Sequence, residues 1–187
     1  MSIKAAFLDR DGVINIDHAY VCSADKFEFI DGVLPACAQL VQAGYQLVIV
    51  TNQSGIGRGY YSEEQFQQLN AWLKKVFSEA HAPLTAIYYC PHHPEKALPE
   101  YRLDCSCRKP KPGMFLLAQR ELEINMSESV MFGDKRSDMQ AALAAGVKSR
   151  ILVGKDGLEV PQPVPECTSV ALNLQQAVSS LLEESKR

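Results

Sequence analysis

No apolar stretch in these 187 residues approaches the ~20 that a membrane-spanning helix requires. Basic residues are not in excess either. Nineteen Lys+Arg face 22 Asp+Glu for a formal net charge of -3, which argues against a nucleic-acid partner. The pairing of low hydrophobicity with high net charge that marks disordered chains is missing, since 47% of the residues are hydrophobic and 22% charged. There is no internal repeat and no low-complexity linker; only Pro161 to Pro165 resembles a spacer. The opening residues, Met1 to Asp9, turn acidic before a signal-peptide apolar region develops. The expectation is one cytoplasmic domain over residues 1–187, monomeric, with neither a membrane nor a nucleic acid as partner.

Cysteine is the exception to this plainness. Six occur, at positions 22, 37, 90, 105, 107 and 167. Disulfide frameworks belong mainly to small chains in oxidising compartments, so in a reducing one a cluster of cysteines points to metal ligation or catalysis.

Hydrophobic patterning predicts strands at 4–9, 46–51, 84–90, 129–133 and 149–153. It predicts helices at 31–43, 62–80, 113–123, 137–145 and 173–184. Ser62-Glu63-Glu64-Gln65 matches a capping box, and Gly44 and Gly146 supply helix stops. Residues 91–112 read as an irregular, Pro-rich loop. Strands alternating with helices imply an α/β, Rossmann-like, doubly wound parallel sheet. Its ligands would bind beyond the strand C-termini. Those ends carry Asp9-Arg10-Asp11, Thr51-Asn52-Gln53-Ser54, the loop after Cys90, and Gly133-Asp134-Lys135.

Asp9 and Asp11 stand two apart before a Gly12 turn, where a cation or a shared proton is expected between them. Hard oxygen ligands favour magnesium, and Asp134 offers a third carboxylate. The plain alternative for an isolated Asp-x-Asp-Gly is a solvated turn. Thr51 and Lys109 have plain alternatives too, as a strand-end cap and a surface charge. Together, a metal, a lysine, a hydroxyl and helix N-termini suit a phosphoryl group.

In the order Asp9-x-Asp11-Gly12-Val13, strand-end Thr51, Lys109, and Gly133-Asp134-Lys135-x-x-Asp138, the chain resembles the haloacid dehalogenase superfamily from about Lys4 to Val153. The resemblance implies that Asp9 is the nucleophile, forming an aspartyl-phosphate, and that Asp11 is the general acid and base. Thr51 and Lys109 would stabilise the phosphoryl group. Magnesium would be held by Asp9, the Asp11 carbonyl and Asp134. Asp at the second position favours a phosphatase over an ATPase. Asp138 is left among three roles: orienting Lys109, orienting metal-bound water, or capping its helix.

Cys90-Pro91-His92 and Cys105-Ser106-Cys107 offer three thiolates and an imidazole, the ligand set of a closed, structural zinc site. His93 competes with His92 for the fourth position, and three thiols without metal are the plain alternative. A zinc-bound loop over about 90–107 would be ordered beside the active edge and would deliver Arg108 and Lys109.

The segment between Asp11 and Asp31 is too short for an inserted cap domain, and the other common insertion place holds only the zinc loop. The chain thus resembles a capless branch of the superfamily acting on small phosphorylated sugars. That resemblance implies substrate contacts from Asp17, His18, Ala19, Tyr20, Thr51, Asn52, Gln53, Ser54, Arg108, Lys109 and Lys135. Two alternatives stand beside it. One is a histidinol-phosphate phosphatase, whose cationic substrate Arg108 would repel. The other is a catalytically silent zinc-binding interaction module.

Overall fold

The computed structural model describes residues 2–185. Six strands form one parallel sheet: β1 (Lys4–Leu8), β2 (Tyr45–Asn52), β3 (Leu84–Cys90), β4 (Val130–Gly133), β5 (Ser149–Val153) and β6 (Ser169–Ala171). The order is β3-β2-β1-β4-β5-β6, so the chain winds outward from β1 in both directions. The helices are α1 (Val33–Gln42), α2 (Ser54–Gly57), α3 (Glu63–Glu79), α4 (Gly113–Leu122), α5 (Arg136–Ala144) and α6 (Leu174–Glu184).

Strand alternation assigns the two faces. Ala6 and Leu8 of β1, with Leu47 and Ile49 of β2, pack against α1, α3 and α6 through Leu40, Phe77 and Val178. Ala5 and Phe7, with Val48 and Val50, pack against α4 and α5 through Phe115 and Met139. Burial on both faces explains why these strands read as continuous apolar runs.

The third strand and the 149–153 strand fall where the pattern places them, and the α3 capping box forms. Gln65 N–H donates to Ser62 Oγ at 3.1 Å, and Ser62 N–H to Gln65 Oε1 at 2.9 Å. Two elements correct the sequence reading. β6 adds a sixth strand, and α2 forms a helical turn where only strand-end donors were expected. Between β1 and α1, and again between β3 and α4, the only helical element is a single 3₁₀ turn, at Ala24–Lys26 and Pro99–Tyr101.

The strand order reverses at β1, between β2 and β4. In open α/β sheets the crevice at such a reversal binds ligands. Asp9, Thr51 and Asp134 stand at or just beyond the ends of these three strands.

Candidate active site

Lys109 is the hub of the site. It is buried, yet its Nζ lies 2.9 Å from Asp9 Oδ1, 2.7 Å from Asp138 Oδ1 and 2.8 Å from the Val50 carbonyl. Asn52 holds its backbone on both sides: Lys109 N–H donates to Asn52 Oδ1 at 3.0 Å, and Asn52 Nδ2 donates to the Lys109 carbonyl at 3.1 Å. Burial disfavours the ammonium, but the Asp138 and Asp9 charges outweigh it and push the Lys109 pKa above its ordinary value. Burial would likewise raise Asp9. The charges of Lys109 and Lys135, with hydrogen bonds from Lys109 and from Arg10 N–H, instead hold its carboxyl below the usual range. Asp9 is thus an ionised carboxylate. Its described donors both go to Oδ1, and Oδ2 accepts no hydrogen bond among the described residues.

Asp11 is fixed by a second network. Its Oδ1 accepts from Arg10 Nη2 at 2.9 Å and from Asn15 Nδ2 at 3.0 Å, and its Oδ2 accepts from Gln53 Nε2 at 3.1 Å. Gln53 also donates to Thr51 Oγ1 at 2.8 Å and accepts from the Tyr61 hydroxyl. With its oxygen taken by Gln53, Thr51 retains its hydroxyl proton for another acceptor. Arg10, Asn15 and Tyr61 were not singled out from the sequence. Arg10 lies between two motif aspartates but looks like a surface charge, and Tyr61 carries no local signal at all.

Asp134 presents two bare carboxylate oxygens. Both are buried, and neither has a hydrogen-bond partner among the described residues. Burial and then the Asp9 charge push its carboxyl up to about 8, against the pull of Lys135. Asp9, Asp134 and Asp138 bring oxygens within 4.8 Å of one another, and the Asp11 carbonyl accepts no hydrogen bond among the described residues. An all-oxygen set with orphaned carboxylate atoms fits a hard divalent cation. Asp138 is the member absent from the expected ligand set. Its Oδ1 faces Lys109, and its Oδ2 accepts Lys135 N–H at 3.0 Å at the start of α5, so it both orients the lysine and caps the helix.

Two glycines permit this approach. A Cβ on Gly12, at φ +90°, would collide with the Asp134 carboxylate, and one on Gly133 with that of Asp138. The glycines of both motifs are therefore clearances for carboxylates, and Gly12 is a turn residue besides.

The cysteine cluster assembles as well. Cys90 Sγ lies 3.5 Å from Cys105 Sγ, Cys105 Sγ lies 3.3 Å from Cys107 Sγ, and His92 Nδ1 lies 3.4 Å from Cys107 Sγ and 3.7 Å from Cys90 Sγ. A tetrahedral site with ~2.3 Å Zn–S bonds has edges of roughly 3.8 Å, so the donor set is compatible with zinc. His93 is occupied otherwise: its Nδ1 accepts the N–H groups of Glu95 and Lys96. All six cysteines are free thiols.

Beside the aspartates opens a cleft of about 250 Å³, lined by Asp11, Asp17, Ala19, Tyr20, Asn52, Gln53, Ser54 and Lys135, with Gly55 and Tyr61. A smaller pocket of about 40 Å³ reaches Asp9, Lys109 and Asp138. Seven of the expected substrate residues thus converge, while Lys109 lines the smaller pocket and Thr51 is held by Gln53. Two stand apart. His18 is turned to Glu28 at 2.8 Å, and Arg108 lies against the His92 carbonyl at 3.2 Å. A larger groove of about 470 Å³ between β5, β6 and α6 holds Glu184 as its one charged residue and none of this chemistry.

The family described as HAD-hyrolase-like matches residues 106–176. A D-glycero-beta-D-manno-heptose-1,7-bisphosphate 7-phosphatase of Photorhabdus laumondii is 50% identical over 171 residues, 91% of this chain and 90% of that protein. The protein of that name from Salmonella typhi is 46% identical over 186 residues, covering 100% of this chain and 98% of its own. The crystal structure of a D,D-heptose 1,7-bisphosphate phosphatase from B. bronchiseptica, complexed with magnesium and phosphate, superposes with a TM-score of 0.82 at 31% identity. It covers 97% of this chain and 99% of its own. With this likeness running the length of the chain, it belongs to the D-glycero-beta-D-manno-heptose-1,7-bisphosphate 7-phosphatase family of the haloacid dehalogenase-like hydrolases.

Proposed function

We propose that this chain is a single-domain, capless, magnesium-dependent phosphatase that removes the 7-phosphate of D-glycero-β-D-manno-heptose 1,7-bisphosphate through an aspartyl-phosphate on Asp9. The observation that carries the chemistry is an ionised Asp9 with a free Oδ2, held by Lys109, beside an independently fixed Asp11. The names of the relatives support the substrate and its β anomer. We propose the ADP-heptose route to lipopolysaccharide core as its pathway, with a GDP-heptose route as the alternative. Three thiolates given to a zinc ion would suit a reducing, cytoplasmic setting.

Asp9 Oδ2 would attack phosphorus while the bond from phosphorus to the C7 oxygen breaks, and Asp11 gives its proton to the departing alkoxide. In the second displacement Asp11 removes a proton from water as that water attacks phosphorus. The bond to Asp9 breaks, and phosphate is released. Lys109, Lys135 and the Thr51 hydroxyl stabilise charge on the phosphoryl oxygens. Magnesium, held by Asp9, Asp134 and the Asp11 carbonyl, would supply charge neutralisation between carboxylate and phosphate. Zinc, held by Cys90, His92, Cys105 and Cys107, would fix the loop that delivers Arg108 and Lys109.

Asp17 to Tyr20, with Asn52 to Ser54, would hold the sugar. The guanidinium groups of Arg58 and Arg108 form no ion pair among the described residues. Arg58 has a buried, unpartnered Nε and lies 5.9 Å from the Tyr20 ring that walls the cleft. Two guanidinium groups without a carboxylate partner among the described residues, one of them at the Tyr20 wall, support recognition of a second phosphate. They disfavour the ammonium of histidinol phosphate. A complete catalytic set likewise disfavours a silent interaction module. We infer a monomeric enzyme, since the complete set of motif residues lies within a single chain of 187 residues.

The experiment is a kcat/KM comparison of the two heptose 1,7-bisphosphate anomers and histidinol phosphate with magnesium present. The proposal expects the β anomer to lead and the product to retain its 1-phosphate. A preference for histidinol phosphate would sink the substrate assignment while leaving the mechanism standing.

A further inference from the structure

The loop after β5 takes no part in the chemistry above, yet it grips the site from the side. Residues Lys155–Gly157 form a 3₁₀ turn in which Asp156 adopts φ 56°. Asp156 Oδ1 accepts Asp17 N–H at 2.9 Å. Its own N–H donates to the Gly12 carbonyl at 3.0 Å. Lys155 Nζ lies 3.2 Å from Asp17 Oδ2, and Asp17 Oδ1 accepts Ala19 N–H at 3.2 Å. One turn thus holds both the segment that walls the cleft and the glycine that follows Asp11.

That segment needs holding. Ala19 and Tyr20 have φ of 57° and 56°, a left-handed conformation that such side chains seldom adopt and that persists only where the surroundings over-determine it. The bonds to Asp17 provide that constraint immediately upstream. Asp156 itself does not line the cleft.

We propose that Asp156 is a positioning residue for substrate recognition, its carboxylate setting the Asp17–Tyr20 wall while its backbone N–H anchors the nucleophile turn. The two functions are separable, because only the first uses the side chain. The proposal rests on the reading that Asp17 to Tyr20 hold the sugar.

The test compares Asp156→Gly with Asp156→Asn. Glycine tolerates the positive φ and keeps the N–H bond to Gly12 but removes the acceptor; asparagine tolerates the conformation and keeps an acceptor oxygen. Each is assayed on the heptose bisphosphate and on p-nitrophenyl phosphate, which has no sugar to position. Asp156→Gly should raise KM for the heptose bisphosphate roughly tenfold, the scale of one charge-assisted hydrogen bond, with kcat within about threefold. Its kcat/KM for the aryl phosphate should not fall, and Asp156→Asn should restore the sugar KM. Should the glycine variant fail to fold, Lys155→Met carries the test with the turn's backbone untouched. It should raise the same KM about two- to threefold, the smaller effect of a half-exposed pair. An unchanged sugar KM, or equal losses on both substrates, would overturn the proposal. Wild-type enzyme that fails to prefer the heptose bisphosphate over the aryl phosphate would instead overturn the substrate reading beneath it.

Discussion

Lys109 Nζ stands 2.9 Å from Asp9 Oδ1, across a separation of 100 residues, and the same ammonium reaches Asp138 Oδ1 at 2.7 Å. One buried cation thereby joins the Asp9 turn after β1 to the first turn of α5. Neither carboxylate has another cation as close among the described residues.

Replacing Lys109 with Met should therefore cost both activity and stability. Two buried carboxylates would lose their partner, a change worth roughly 3–5 kcal/mol. With phosphoryl charge also unopposed, kcat should fall at least ~10³-fold. Urea unfolding beside steady-state kinetics checks both. A variant with normal stability and low kcat would mean that Lys109 acts on substrate alone.

Gly12→Ala should weaken magnesium specifically. The added Cβ would collide with the Asp134 carboxylate, in a backbone conformation that already disfavours a side chain. The magnesium concentration for half-maximal activity should rise about tenfold or more. Calorimetric titration of magnesium checks it independently of turnover.

The Asp134 carboxyl sets a pH dependence. In the metal-free fold it is pushed up to about 8 from an ordinary value of 3.8, by burial and then by the Asp9 charge. The protonated form is thus favoured by folding. Its contribution to stability is present below the ordinary value and is lost as pH rises toward 8. Magnesium takes the ionised form and reverses that loss. Magnesium affinity should rise from pH 6 to pH 8 by up to ~100-fold, with a growing increase in Tm. Affinity independent of pH over that interval would contradict the account.

Removing zinc should silence the enzyme without removing any catalytic group. Cys107 is followed directly by Arg108 and Lys109, so a loosened loop displaces the lysine. Cys107→Ser should lose zinc, expose residues 91–104 to protease and lower kcat at least ~10-fold. A zinc-free variant with full turnover would refute the coupling.

How much of this was legible in the sequence follows from the range of each interaction. β1 to β5 and the longer helices announce themselves through local patterning, because both faces of the sheet are buried. β6 does not: three residues at the sheet edge, Ser169–Ala171, with only Ala171 buried, carry too little pattern. α2 is one turn of Ser-Gly-Ile-Gly, whose glycines are poor helix formers. Within the site, motif spacing singles out Asp9, Asp11, Asp134 and the Cys90, His92, Cys105 and Cys107 cluster. The partners that hold them are non-local. Tyr61 meets Gln53 across a turn, Asp156 meets Asp17 across 139 residues, and the sequence at neither position indicates its partner. Asp138 shows the intermediate case, visible in a motif but with its role decided only by Lys109.

The central claim is that Asp9, and not Asp11, carries the phosphoryl group. An Asp11→Asn variant, which lacks the base of the second displacement, is mixed with magnesium and p-nitrophenyl phosphate, whose leaving group departs without a proton, then quenched in acid and reduced with borohydride. Reduction converts an aspartyl-phosphate to homoserine, which peptide mass spectrometry locates. The account predicts homoserine at position 9 in substrate-treated enzyme and none in its absence. Turnover with no homoserine at position 9 would contradict it.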